Sequence, residues 1–185
     1  MKNYWQNAVT FDEYIKETER RIEVQNPEDD HNEYYELGLQ RMNRTLKTFK
    51  IDEEQLNVLK SKNFKGKILI ISEPWCGDAS ATVPAVSKFF EGHNEVRIFY
   101  RDSDTSLIDQ FLTNGTQSIP KILILNEDFS LKNVWGPRPQ YGTELLKKFK
   151  ENPETYPREE FYNDLQVYYA KNKGKDAIQE ILDLL

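Results

Sequence analysis

Hydrophobic positions along the chain change rhythm three times. Over the first 65 or so residues they recur at helical spacing within charged sequence. Phe11, Tyr14, Ile15 and Ile22 predict a helix from Thr10 to Gln25, and Asn26-Pro27 ends it. Tyr34, Leu37, Met42, Leu46 and Phe49 predict a second, from Asp30 to Lys50. Asp52 opens a third as an N-cap, with Gln55 three positions on, Leu56 and Leu59 on the apolar face, and an exit at Asn63 to Gly66.

The middle of the chain is different. Lys67 to Ser72 is a short, largely β-branched apolar run without alternation, which suits a strand covered on both faces. A turn through Glu73-Pro74-Trp75-Cys76-Gly77-Asp78 leads to a helix from Ala79 to Glu91, carrying Val83, Val86, Phe89 and Phe90. Glu95 to Tyr100 reads as a second strand. Asp104 reads as the cap of a helix carrying Leu107, Ile108, Phe111 and Leu112, closed by Asn114-Gly115. Lys121 to Leu125 and Ser130 to Trp135 complete a set of four strands. The two crossovers imply parallel pairing, and the short final turn implies a hairpin. The C-terminal part returns to helix over Thr143 to Lys150, Arg158 to Ala170 and Lys175 to Leu185.

Composition sets limits on function. With 25 Lys and Arg against 31 Asp and Glu, the net charge of −6 disfavours nucleic acid and anionic membranes as partners. Only 38% of residues are hydrophobic, but 10 Phe, 10 Tyr and 3 Trp give enough bulk for one core, so disorder of the whole chain is excluded. The longest apolar run, Ile68 to Ile71, is far short of the ~20 residues a membrane span needs. The N-terminus runs into charged sequence, not a secretory apolar stretch. The one cysteine, Cys76, can form no internal disulfide and no multi-cysteine zinc site, which points to the reducing cytoplasm. No phosphate loop or dinucleotide fingerprint occurs, and no cofactor is implied.

Cys76 stands where a strand gives way to a helix. Unpaired N–H groups and the helix dipole stabilise a thiolate in such a place, so the position fits a reactive cysteine. A buried, inert cysteine is the competing reading. Asp78 complicates both: its carboxylate suits a helix start but opposes a thiolate nearby, and residue order alone leaves the net effect open. Elsewhere, Asp29-Asp30-His31-Asn32-Glu33 reads as a helix start and not a cation site, because consecutive residues diverge. His93 reads as a loop residue. Trp135-Gly136-Pro137-Arg138-Pro139 reads either as a stiff connection or as a rim that brings Trp135 and Arg138 to the cysteine.

An apolar strand followed by Trp75-Cys76-Gly77-Asp78-Ala79 resembles the active-site loop of the thioredoxin family. Ser118-Ile119-Pro120, 44 residues downstream and ahead of another strand, is similar to the place where that family carries a cis-proline. The resemblance covers roughly residues 50–150, and the closest likeness is to small bacterial thioredoxin-like proteins with extra N-terminal helices. It implies an α/β fold with a mixed sheet of about four to five strands flanked by helices. In that arrangement residues 51–150 form the core of a single domain, between helical extensions 1–50 and 151–185. It also implies that Cys76 is the nucleophile. Trp75, Gly77, Asp78, Ile119 and Pro120 would form the docking surface for a protein or low-molecular-weight thiol or disulfide.

The sequence departs from the family pattern in three places. Ala79 stands in place of the resolving cysteine, so a mixed disulfide at Cys76 has to be cleared by an outside thiol. Ile70 stands where a buried acid is often found. Asp78 replaces a frequent proline. These features keep a redox-inactive binding module, using the groove beside Pro120, as the alternative. A peroxidase passing through a sulfenic acid is a third reading, without an evident activating Arg or Thr beside the cysteine.

Overall fold

The computed structural model describes all 185 residues. Eight helices surround one sheet: α1 (Lys2–Asn7), α2 (Phe11–Val24), α3 (Asn32–Thr48), α4 (Glu53–Lys62), α5 (Gly77–Phe90), α6 (Gln140–Glu151), α7 (Arg158–Asn172) and α8 (Lys175–Leu184). The strands are β1 (Lys67–Ser72), β2 (Val96–Tyr100), β3 (Lys121–Leu125) and β4 (Leu131–Trp135), in the order β2-β1-β3-β4. This is the mixed α/β sheet flanked by helices that the apolar pattern called for.

The two central strands are the unbroken apolar runs. Ile68 to Ile71 and Ile122 to Leu125 are all fully buried, as strands covered on both faces must be. Helix α5 packs on β1, α3 and α8 and is buried along almost its whole length, which is why its sequence shows no polar face. Helix α8 belongs to the same core through Ile178, Ile181 and Leu182. A second, smaller cluster of Tyr156, Phe161, Leu165 and Tyr169 meets α5 at Ala81, and it carries α7 alongside the start of α5.

Two expectations are corrected. The segment after β2 is not an α-helix. It folds as two short 3-10 turns, Arg101–Ser103 and Ile108–Gln110. Asp104 does accept a hydrogen bond from the Ser106 N–H (2.9 Å), but the helix is not propagated. Leu107 and Ile108 are adjacent and both completely buried. Both are buried from short turns, so the core needs no regular helix in this segment.

The second correction follows from the first. β2 runs parallel to β1, but β3 runs antiparallel to β1. Ser72 pairs with Tyr100 where β2 ends, and Ile71 pairs with Lys121 where β3 begins. The connection therefore stays at one end of the sheet. A parallel β3 would need a crossover long enough to carry the chain back along the strands.

The extreme N-terminus, unassigned from the sequence, also has a place. Helix α1 buries Trp5, and Val9 exchanges two 2.8 Å backbone hydrogen bonds with Ile98. This short bridge covers part of the outer edge of β2. No helix is long and apolar enough to cross a membrane.

Candidate functional site

Cys76 is the N-cap residue of α5, with extended backbone angles (φ −77°, ψ 121°). The strand-to-helix turn is closed by the Cys76 N–H bonding to Glu73 O (3.1 Å) and the Ser80 N–H to Cys76 O (3.0 Å). The thiol is only 8% exposed, and its S–H donates to the carbonyl of Ile119 across 3.4 Å. The Ile119–Pro120 peptide is cis. The N–H of Ile119 donates to no group of the protein. Trp75, Cys76, Gly77, Asp78, Ile119 and Pro120 thus meet at one end of the sheet.

Two buried carboxylates flank the cysteine. Asp78, 6% exposed in the first turn of α5, accepts from the Tyr169 hydroxyl on Oδ1 (2.7 Å) and pairs with Arg138 on Oδ2 (2.6 Å). Burial raises its carboxyl, against the pull of Arg138, Tyr169 and Arg41. Glu73, 1% exposed, accepts from the Asp102 N–H (2.9 Å) and pairs with Arg21 of α2 (3.0 Å). Burial raises it also, against the Asp102 N–H and Arg21.

The thiol has a clear direction. Burial first, and the Asp78 charge second, push it up to about 12; the N–H groups of Ala79 and Asp78, and Arg138, pull the other way. The question left open by the sequence is therefore answered against the helix terminus. At neutral pH Cys76 is a protonated thiol hydrogen-bonded to Ile119.

The neighbours are held by close packing. Gly136 has φ +114°, and a Cβ there would lie 2.4 Å from Pro120 O, so glycine is required for the loop carrying Arg138 to reach the Pro120 backbone. Gly38 of α3 plays the same part, since a Cβ would lie 2.4 Å from Pro74 O. Trp75 is pinned: His31 stacks on it (centroids 4.3 Å apart, planes 12°), the Arg101 guanidinium lies 4.8 Å from its ring, and its indole N–H donates to Asp102 (3.2 Å).

Of the loop residues considered beside the motif, the structure brings Arg138 to the site but not Trp135, which is buried and donates to Glu180 of α8 (2.6 Å). His93 lies past the far end of α5. Sequence reasoning missed Glu73, Arg41, Gln166 and Tyr169. Only Glu73 had a local signal, as an acid next to the turn; the others arrive from helices distant in sequence. A cavity of about 640 Å³ lies elsewhere, between the start of α2 and the end of α5, and has no part in this chemistry.

The sequence profile of a thioredoxin family matches residues 24–150. A crystallised HIV epitope-scaffold superposes with a TM-score of 0.69 at 15% identity, covering 99% of this chain and 95% of its own. A Pseudomonas aeruginosa protein of unknown function superposes with a TM-score of 0.61 at 16% identity, covering 98% of this chain and 93% of its own. No curated protein sequence matches the chain.

Proposed function

The chain belongs to the thioredoxin family, and from that premise we propose that it exchanges disulfides through one cysteine, Cys76, with an external thiol clearing the adduct. The observation that carries this reading is the alignment of the Cys76 S–H on the Ile119 carbonyl, beside an Ile119 N–H that has no partner in the protein. An extended disulfide substrate could accept from that N–H, and its sulfur would then lie near the thiol. Pro120 and Trp75 supply the apolar surroundings, and Gly77 and Asp78 the start of the helix.

Exchange balances with one cysteine. Cys76–SH and R–S–S–R give Cys76–S–S–R and R–SH, the thiol proton leaving on the departing sulfur. A different external thiol, R′–SH, attacks the R sulfur of the adduct, restoring Cys76–SH and releasing R–S–S–R′. Ala79 precludes the intramolecular alternative. Because the thiol rests protonated, exchange is slow at neutral pH and depends on a substrate that docks.

The test is intact mass after exposure of the native protein to an uncharged disulfide such as hydroxyethyl disulfide. The reading requires one adduct, absent from Cys76→Ser and reversed by added 2-mercaptoethanol. A different result would favour the second reading, a binding module without redox chemistry. That reading draws on the raised thiol and on Ala79. It gains if no adduct forms on the native protein up to pH 9 while the urea-unfolded chain reacts readily.

A further inference from the structure

The approach to Cys76 carries more positive charge than it uses. Arg138 is committed to Asp78 (2.6 Å). Arg41 of α3 comes to the same turn: its Nη1 lies 3.4 Å from where a Cβ on Gly77 would stand. Arg41 is half-buried, yet it makes no hydrogen bond and no ion pair with any group of the protein. The charged side chains acting on it are Arg44, which repels it, and Asp78, already neutralised by Arg138. Two guanidiniums thus face one carboxylate beside the thiol, in a chain whose net charge is −6.

Two further observations point the same way. Five buried side-chain polar atoms in the chain lack a hydrogen-bond partner, and two of them, Arg138 Nε and Gln166 Oε1, belong to this cluster. Native interiors seldom leave such atoms unpaired, and here two of them lie together beside the unpaired Arg41. Two distant parts of the chain also converge on this turn. Gln166 of α7 and Arg41 of α3 both reach Gly77, next to Cys76 in sequence. Cys76 itself is only 8% exposed, so a slender molecule suits this turn better than a broad protein surface.

We propose that Arg41, with Arg138 and Gln166, forms a subsite beside Gly77 for the carboxylate of a low-molecular-weight thiol, recognised in its disulfide form. A carboxylate there pairs with the unused Arg41 guanidinium, and an N–H of the same ligand can satisfy Gln166. This rests on Cys76 being the exchanging thiol, with the bond changes already given. Arg41 positions the substrate and takes no part in the sulfur chemistry.

The test compares two disulfides on the native protein at pH 8: 5,5′-dithiobis(2-nitrobenzoate), which carries carboxylates, and 2,2′-dithiodipyridine, which carries none. Arg41 has no partner to orphan, so Arg41→Gln should remain folded, which circular dichroism checks. The expected result is a loss of about fivefold in the rate with the carboxylate reagent relative to the neutral one, restored in Arg41→Lys and weakened by 1 M NaCl. Reaction with both reagents at an unchanged ratio in Arg41→Gln overturns the subsite and leaves exchange through Cys76 standing. Failure of both reagents on the native protein overturns the exchange reading, and the subsite with it.

Discussion

The two buried carboxylates that flank Cys76 are built alike and do different work. Glu73 sits in a closed arrangement. Its guanidinium partner, Arg21, is also held by Glu17 (3.0 Å) and Tyr35 (3.3 Å), and lies 4.9 Å from the centre of the Tyr100 ring. Asp78 is held by Arg138 and Tyr169, but a second guanidinium beside it is unspent. The first arrangement ties α2 and α3 to the end of β1. The second faces the thiol: Asp78 and Arg138 are among the groups that act most strongly on Cys76, and Glu73 is not among those. Burial of an ion pair is thus no guide to function by itself; what matters is whether its donors and charges balance.

The largest effect should come from the closed side. Glu73→Ala leaves Arg21 short of a buried partner and an Asp102 N–H without an acceptor, and should cost about 3–5 kcal/mol in urea unfolding. The folded fraction should keep the wild-type dependence of Cys76 alkylation on pH. If alkylation shifts with Glu73→Ala, the two sides are not separate.

On the open side, Asp78→Asn should cost less, about 2–3 kcal/mol, because Tyr169 can still bond the amide. Its diagnostic effect is on the thiol. Removing a negative charge that raises Cys76 lowers its pKa, so iodoacetamide should modify the variant about tenfold faster than wild type at pH 8. An unchanged rate would mean that burial alone holds the thiol neutral.

These contrasts bear on what could be read from residue order. The strands were legible because Ile68 to Ile71 and Ile122 to Leu125 are uninterrupted apolar runs. Asp52, Asn63 and Gly92 sit at helix ends where capping chemistry places them. Leu107, Ile108, Phe111 and Leu112 imitated a helical face, but the chain buries Leu107 and Ile108 from short 3-10 turns instead. That error carried the strand direction of β3 with it. At the site, Cys76, Asp78 and Ile119-Pro120 lay in local motifs. Tyr169 could not be found this way, since its partner Asp78 is 91 residues away and α7 carries no motif. His31, read as part of a helix start, is the N-cap residue of α3 and also stacks on Trp75, a contact no periodicity encodes.

Two smaller effects sharpen the contrast. A thiol whose folded pKa of about 12 exceeds its ordinary value favours the folded state at low pH, and that contribution is lost as pH rises above ~8.5. Wild type should therefore lose roughly 1–2 kcal/mol more stability than Cys76→Ala between pH 8 and pH 10. Parallel pH dependence in the two proteins would show that the thiol does not titrate with folding. Tyr169→Phe removes one hydrogen bond to Asp78 while leaving Arg138 in place, and should cost about 1 kcal/mol by thermal or urea unfolding. A cost as large as that of Asp78→Asn would mean that Tyr169, not Arg138, is the main anchor.

The most direct test of the account is the rate of Cys76 alkylation by iodoacetamide, an uncharged reagent, in the native protein from pH 6 to pH 10. A buried thiol kept neutral by its surroundings predicts a rate that rises about tenfold for each pH unit, with no plateau below pH 10. A plateau with its midpoint below pH 8 would contradict this, and would mean that the start of α5 outweighs both burial and Asp78.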